Sequence, residues 1–308
     1  MRAVLTVTLN PAFDRTVWLD RLTAGETNRA VTSSLRVGGK GINVARAVAA
    51  RGLPAIAVGI AGEDQAAPIE RALRADGVVA RFTRVAGETR TNLKLIERST
   101  GRMTEVNEPG PTVGAADLAE VEAAIIEAIG SADVGAVVMA GSLPQGADAA
   151  IYARWVTRIA GLDGAPPALV DASDAALAAA VAAGPFLVKP NRVEAETLLG
   201  RAIPDRAAAA EAARDIVRRG PRAVLMSLGA DGAVAALDDE VTAIDPEPIR
   251  TGDGRFTSTV GAGDAMVARI ASGLVESDTP AGALGAVEFF ELCRLAVGAA
   301  SEQIRGGA

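Results

Sequence analysis

The most informative segment of the chain is Ser258-Thr259-Val260-Gly261-Ala262-Gly263-Asp264-Ala265. It places small residues directly before a carboxylate, and the apolar run over residues 265–274 predicts a helix immediately after it. Backbone N–H groups at a helix start bind anions, and an aspartate beside them can take a proton from a nucleophile. Phosphoryl transfer needs both features. Taken alone, however, the segment is explained more simply by a glycine turn in which Asp264 caps the helix.

Outward from this segment, short apolar runs alternate with amphipathic stretches along most of the chain. Buried strands are predicted for residues 4–9, 55–60, 136–140, 168–170, 186–188 and 223–228. Helices are predicted for residues 43–51, 65–76, 115–129, 149–159, 192–199 and 207–219. This alternation predicts a three-layer α/β fold, in which helices cover both faces of a mainly parallel sheet. Ligands of such folds bind at the carboxyl ends of the strands.

Two segments interrupt this rhythm. Residues 16–36 contain strand-like stretches without a helix, and residues 91–106 predict a hairpin around Ser99-Thr100-Gly101. We interpret them together as a small β-sheet lid of residues 11–37 and 89–107, beside a main domain of residues 1–10, 38–88 and 108–308. The alternative is two unrelated surface hairpins. A lid with one uncovered apolar face predicts a partner, and therefore a homodimer.

Composition restricts the chemistry. The 308 residues contain no histidine, which excludes the commonest general base and every Ser–His or Cys–His nucleophile. Cys293 is the only cysteine and stands in an apolar run, so we expect a buried core residue. The net charge of −7, from 38 acidic and 31 basic residues, argues against nucleic-acid binding. The sequence suggests no membrane segment and no secretory signal, which predicts a soluble cytoplasmic protein.

Glycine-rich and polar motifs recur near the predicted strand ends and helix starts. Asn10-Pro11-Ala12-Phe13-Asp14 closes the first strand, and the Asp14 carboxylate could accept sugar hydroxyls or simply be solvated. Gly38-Gly39-Lys40-Gly41-Ile42-Asn43 places a cation among glycines just before a helix. It does not match the Walker loop, and Gly261-Ala262-Gly263 does not match the dinucleotide fingerprint.

Three further motifs follow predicted strands. Gly141-Ser142-Leu143-Pro144-Gln145-Gly146 predicts a tight turn at the binding edge of the sheet. In Lys189-Pro190-Asn191-Arg192-Val193-Glu194, Asn191 fits a helix cap, although Asn191 and Glu194 together could also orient water around a divalent cation. Ser227-Leu228-Gly229-Ala230-Asp231-Gly232 predicts first a hairpin turn and second a nucleotide contact.

In this order the motifs resemble those of the ribokinase-type, or PfkB, carbohydrate kinases over nearly the whole chain. The most specific of them is Thr259-Val260-Gly261-Ala262-Gly263-Asp264. The sugar-phosphate branch contains 1-phosphofructokinase, tagatose-6-phosphate kinase and the minor 6-phosphofructokinase. Its motifs are similar to Thr89-Arg90-Thr91-Asn92, Asn28-Arg29 and Asn107-Glu108-Pro109-Gly110-Pro111. Lys40 within the glycine run is more similar to the first two of these enzymes.

The resemblance implies a ribokinase-like fold with a lid that commonly forms a dimer, and a reaction that uses ATP and Mg²⁺. Asp264 would be the base, and the anion hole would consist of Gly261, Ala262 and Gly263. The sugar phosphate would bind Asp14, Gly38, Gly39, Lys40, Asn43, Arg90, Ser142 and an Arg29 from the partner's lid. ATP would bind Lys189, Asn191, Ser227, Gly229 and Gly232, and Glu194 would hold the metal through water.

The expected reaction converts fructose 1-phosphate to fructose 1,6-bisphosphate, with tagatose 6-phosphate and fructose 6-phosphate as alternative substrates. Three basic groups, Arg29, Lys40 and Arg90, argue against an unphosphorylated sugar. A non-catalytic sugar-phosphate sensor would require a lost catalytic group, yet Asp264 is present. Because Asp264 stands near a helix start, we expect a low pKa and therefore a weak base.

Overall fold

The computed structural model describes residues 1–246 and 261–306. Residues 258–260, the beginning of the decisive segment, lie outside the described residues. The strands are β1 (Ala3–Thr8), β2 (Ala12–Leu19), β3 (Thr32–Gly38), β4 (Ala55–Gly62), β5 (Val79–Val85), β6 (Arg90–Glu97), β7 (Met103–Asn107), β8 (Val134–Ala140), β9 (Ala168–Asp171), β10 (Leu187–Val188), β11 (Ala223–Ser227), β12 (Ala233–Leu237) and β13 (Glu240–Ile244). The helices are α1 (Lys40–Ala50), α2 (Ala66–Ala75), α3 (Ala115–Ser131), α4 (Ile151–Ala160), α5 (Asp174–Ala182), α6 (Arg192–Leu199), α7 (Arg206–Val217), α8 (Ala262–Glu276) and α9 (Ala286–Gly306).

The main sheet has the strand order β13-β12-β11-β10-β9-β8-β1-β4-β5 within the described ranges. The strands from β11 to β5 pair in parallel, whereas β12 and β13 extend the sheet in antiparallel pairs. β1 lies inside the sheet, between β8 and β4, and all of its residues are buried, as expected of a parallel strand covered on both faces. Because these strands are parallel, their carboxyl ends, with the polar residues that follow them, all lie on the same side of the sheet.

Helices pack on both faces of this sheet, which confirms the expected three-layer α/β fold. One core cluster contains side chains of α1, α2, α8 and α9, and the other contains side chains of α3 to α7. Cys293 belongs to the first cluster and is fully buried, as the sequence predicted. Burial raises the pKa of its thiol, so this cysteine is a core residue and not a nucleophile.

The two interrupting segments form one small sheet with the order β3-β2-β6-β7. β2 pairs antiparallel with β3 and parallel with β6, and this register places Asp14 opposite Asn92. The alternative of two unrelated hairpins is therefore wrong. Because side chains alternate along a strand, one face of this small sheet carries Asp14 and Asn92, and the other carries Leu93 and its partner Val106.

Several elements differ from the sequence prediction. β5, β12, β13, α5 and α9 were not predicted. β12 and α5 are short and Ala-rich, and such runs carry little periodicity. α1 and α8 each begin three residues before the predicted start. Their caps are Gly39 and Gly261, with φ angles of 127° and 83°, so a glycine conformation sets each helix start and not the first apolar residue.

In the described parts of the chain, no helix combines the length and apolarity that a membrane crossing requires.

Candidate active site

A cleft of about 1140 Å³ runs between the lid and the carboxyl ends of the parallel strands. The lid contributes Asp14, Asn92 and Arg90, and the start of α1 contributes Lys40. The start of α8 contributes Asp264 to the same cleft. Residues that are distant in sequence, and that the motifs predicted to act together, therefore line one cleft.

Asp264 occupies the third position of α8 and is only 7% exposed. The helix cap is Gly261, so the simpler interpretation of Asp264 as an N-cap is wrong. Its Oδ2 accepts a hydrogen bond of 2.7 Å from Nδ2 of Asn43. The backbone of residues 261–263 forms the first turn of α8 beside it, where N–H groups lack intrahelical partners. The arrangement offers a fixed carboxylate next to an anion-binding helix end.

Burial, followed by the negative charge of Asp171, raises the pKa of Asp264 to about 6. The hydrogen bond from Asn43 and the charges of Lys40 and Lys189 act in the opposite direction and are weaker. The expectation of a low pKa from the helix start alone is therefore wrong, since desolvation outweighs the helix end. A carboxylate with this pKa is a better general base near neutral pH than an ordinary aspartate.

Two lysines share one buried carboxylate on the floor of the cleft. Nζ of Lys40 lies 3.0 Å and Nζ of Lys189 lies 3.4 Å from the same atom, Oδ1 of Asp171. Asp171 is 1% exposed and ends β9. Burial lowers the pKa of Lys40, but the contact with Asp171 outweighs it and the pKa is raised overall. Both lysine side chains are therefore held in place where anions could bind.

The lid end of the cleft is organised by hydrogen bonds. Nδ2 of Asn92 donates to Oδ1 of Asp14 over 3.0 Å, which orients this carboxylate. Nη2 of Arg90 donates to the backbone oxygen of Asn10 over 3.1 Å and lies 3.5 Å from Oγ of Ser142. Burial lowers the pKa of Arg90, but arginine remains charged at neutral pH.

The opposite end of the cleft is more apolar. Ser227 at the end of β11 lines it, together with Gly229 and Gly232 from the segment before β12, which includes a short 3₁₀ turn. This segment is the hairpin turn that the sequence predicted, and it also borders the cleft. Apolar side chains of α8 and α9 form the facing wall: Met266, Val297, Ala300 and Ile304. A flat apolar group with polar edges fits such a slot.

Four of the predicted residues do not line the cleft. Gly38 lies behind Asp14. A Cβ at position 38 would collide with the Asp14 carboxylate, so only glycine leaves room for that carboxylate in its present position. Ser142 is exposed at the rim and contacts Arg90. Arg29 is exposed on the lid connection, away from the cleft of its own chain. Oε2 of Glu194 accepts the Asn191 N–H in a capping box.

Several residues that line the cleft were not predicted as site residues. Asp171 stands alone after a four-residue strand, and no motif identifies it. Four more lie on the lid, at alternate positions of β6 and β7. Their alternation identifies the cleft-facing side only when the strand register with Asp14 is known. These residues are Asn92, Lys94, Glu105 and Asn107; Asn92 and Asn107 stand in motifs quoted from the sequence, but no role in the site was predicted for them. Arg192 also borders the cleft and forms an ion pair of 2.7 Å with Asp231.

The profile of the pfkB family carbohydrate kinases matches residues 7–307. The chain belongs to this family. It is therefore a carbohydrate kinase, an enzyme that transfers a phosphoryl group to an alcohol acceptor.

The chain is 38% identical over 299 residues to a 1-phosphofructokinase of Xanthomonas campestris pv. campestris, covering 96% of this chain and 91% of the relative. It is 40% identical over 278 residues to a 1-phosphofructokinase of Rhodobacter capsulatus, covering 90% and 84%. Among solved structures, phosphofructokinase-2 of Escherichia coli in complex with potassium superimposes with a TM-score of 0.88 at 28% identity, covering 100% and 94%. The ribokinase-like fold is thereby confirmed.

Proposed function

We propose that this kinase transfers the γ-phosphoryl group of ATP to a hydroxyl group of a ketohexose phosphate, and that fructose 1-phosphate is the preferred substrate. The observation that carries the proposal is a single cleft that joins Asp264, at the start of α8, to the cations Lys40 and Arg90. Two relatives named 1-phosphofructokinase, at 38% and 40% identity, support the choice of substrate.

Asp264 is the general base in this proposal. Its Oδ1 takes the proton of the attacking hydroxyl while the hydroxyl oxygen forms the new bond to the γ-phosphorus and ADP leaves. The pKa of about 6 keeps most of the carboxylate ionised at neutral pH. Asn43 holds Oδ2, so the second oxygen faces the acceptor. Because the transition state of phosphoryl transfer is loose, positioning and charge supply most of the catalysis.

The charges of the cleft divide between the two substrates. Arg90 and Lys40 bind the phosphate of the sugar, and Asp14 accepts hydrogen bonds from its hydroxyl groups. Lys189 and the first turn of α8 face the phosphates of ATP, which need compensation as the γ-phosphoryl group leaves. The apolar slot between α9 and the turn after β11 takes the adenine ring, with contacts to Ser227, Gly229 and Gly232.

Mg²⁺ fits this cleft as a companion of the nucleotide. The described residues contain no cluster of three acidic, histidine or cysteine side chains that could hold a metal alone. Magnesium normally keeps several waters and binds substrate phosphates together with one or two carboxylates, so such a cluster is not required. Glu194 would hold it through water, and Asn191 fixes that carboxylate by the capping box. When bound, the ion neutralises phosphate charge.

We also propose a homodimer formed through the outer face of the lid. Asp14, Asn92 and Asn107 face the cleft, so the alternate positions Leu35, Leu93 and Val106 face outward. Leu35 and Val106 are 50% and 54% exposed, and such apolar side chains need a cover, although the exposed Arg15 shares this face. A second lid packed on this face would also bring the exposed Arg29 of one chain near the cleft of the other.

A substrate panel tests the proposed reaction. ADP release at fixed MgATP should be measured with fructose 1-phosphate, fructose 6-phosphate, tagatose 6-phosphate and unphosphorylated fructose. We expect the highest kcat/KM for fructose 1-phosphate and very little turnover of fructose. The product should be fructose 1,6-bisphosphate by phosphorus NMR. A higher kcat/KM for another sugar phosphate would overturn the substrate assignment, and no turnover with any of the four would overturn the kinase reaction.

A further inference from the structure

We infer that Asn10 is a positioning residue that fixes Arg90 and Ser142 at the phosphate-binding end of the cleft. The inference rests on the proposed function, because it assumes that Arg90 binds the phosphate of the sugar. Asn10 follows β1 and is 5% exposed. It does not line the cleft, so any effect on substrate must pass through its neighbours.

Asn10 contacts Arg90 through its backbone and the adjacent loops through its side chain. Its carbonyl oxygen accepts the hydrogen bond of 3.1 Å from Nη2 of Arg90. Its Nδ2 donates to the backbone oxygens of Pro109 and Leu143, over 3.2 and 3.5 Å. The same atom lies 3.4 Å from Oγ of Ser142. One side chain thus connects the end of β1, the loop before α3 and the loop after β8.

An amide is the chemistry that this position requires. Nδ2 carries two hydrogens and faces two carbonyl oxygens, which can only accept, and a hydroxyl group. A carboxylate of the same shape would offer only acceptors there and would be repelled by both carbonyls. Glycine at position 110, with a φ of 87°, lets the backbone pass so closely that a Cβ would collide with Oδ1 of Asn10. The backbone at Gly110 therefore packs directly against the Asn10 side chain.

The consequence concerns substrate affinity at one end of the cleft only. Without the Asn10 amide, the loop that carries Ser142 loses one of its links to the loop before α3, although the bond from the Val113 N–H to the Gln145 oxygen remains. Arg90 keeps its bond to the Asn10 carbonyl oxygen, but Ser142, which lies 3.5 Å from Nη2 of Arg90, is no longer held by Asn10. A phosphate group held by a misplaced arginine binds weakly, because bidentate geometry sets the strength of such contacts. ATP contacts, at the other end near Gly229, should not change.

Steady-state kinetics of Asn10→Ala with fructose 1-phosphate and MgATP test this inference. We expect the KM for fructose 1-phosphate to rise about tenfold, the usual effect of losing one buried hydrogen-bond partner. The KM for ATP should stay within twofold of the wild-type value. Asn10→Asp should raise the KM for fructose 1-phosphate further, by about a hundredfold, because it adds a charge of the same sign as the phosphate. If Asn10→Ala does not fold, Asn10→Ser replaces it in the same measurement.

Two further variants separate positioning from a purely structural role. In the Arg90→Ala background, Asn10→Ala should change the KM less than twofold, because the group through which it acts is gone. Ile125→Ala, on the buried face of α3, should lower the melting temperature without any change in either KM. An unchanged KM for Asn10→Ala in an active enzyme, or full additivity with Arg90→Ala, would overturn the inference. Absence of turnover in the wild-type enzyme would overturn the proposed function, and this inference with it.

Discussion

Replacing Asp264 by asparagine should slow this enzyme and stabilise the protein at the same time. The amide has the shape of the carboxylate and can still accept the hydrogen bond from Asn43. Burial and the charge of Asp171 raise the pKa of Asp264 from 3.8 to about 6. A pKa difference of one corresponds to about 1.4 kcal/mol, so the charged form costs the folded state about 3 kcal/mol.

The sign follows from linkage. The pKa of this acid is higher in the folded state than in the unfolded state, so ionisation favours unfolding. The penalty is complete above pH 6 and disappears below pH 3.8, where both states are protonated. Asp264→Asn should therefore raise the free energy of unfolding by about 3 kcal/mol at pH 8, less at pH 5, and hardly at all at pH 3.5.

Urea unfolding at these three pH values measures the stability change, and ADP release measures turnover. We expect turnover to fall about 10²–10⁴-fold, the range for a positioned general base. Asp148→Asn is the matched control, because the Ala150 N–H and then Arg154 lower the pKa of that exposed carboxylate, which predicts an effect of the opposite sign. Equal stability of Asp264→Asn and wild type at pH 8, or turnover within threefold of wild type, would refute the reasoning.

The remaining predictions concern the pH profile, the sugar-phosphate end and the lid. Turnover should fall about tenfold per pH unit below pH 6, and Asp171→Asn should move this acidic limb to lower pH; a profile of log kcat that stays in place would exclude the effect of Asp171 on Asp264. Arg90→Ala should raise the KM for the sugar phosphate about 10²-fold and the KM for ATP hardly at all, and equal rises would contradict its assignment. Val106→Glu should yield monomers in analytical ultracentrifugation, whereas an unchanged mass would argue against a dimer through the lid.

The parts of the fold that sequence predicted are those in which a period or a motif is local. Most helices before α8 alternate clearly with buried strands, whereas α9, the longest helix of the described residues, was not predicted. The glycines before Lys40 and Asp264 mark helix starts of the kind at which anions can bind. Among the predicted helices, α1 and α8 start earlier than expected, because Gly39 and Gly261 begin each helix before the apolar period does.

The properties that the sequence did not predict depend on contacts between residues that are far apart in the chain. Asp171 belongs to no motif, and its importance appears only when Lys40, 131 residues away, and Lys189 approach the same oxygen. The pKa of Asp264 is a second example. Its position at a helix start predicts a low value, whereas its burial, which depends on the whole fold, raises the value.

The oxygen shared by Lys40 and Lys189 has a consequence for the order of events at the catalytic centre. Two ammonium groups already stand against two carboxylates, Asp171 and Asp264, so this part of the protein is close to electrically neutral before any ligand enters. A triphosphate arriving without a counterion would leave the surroundings strongly negative, and Asp264 would then hold its proton more tightly. We therefore expect that nucleotide without divalent ions keeps Asp264 protonated, so that Asp264 cannot accept the proton of the attacking hydroxyl group.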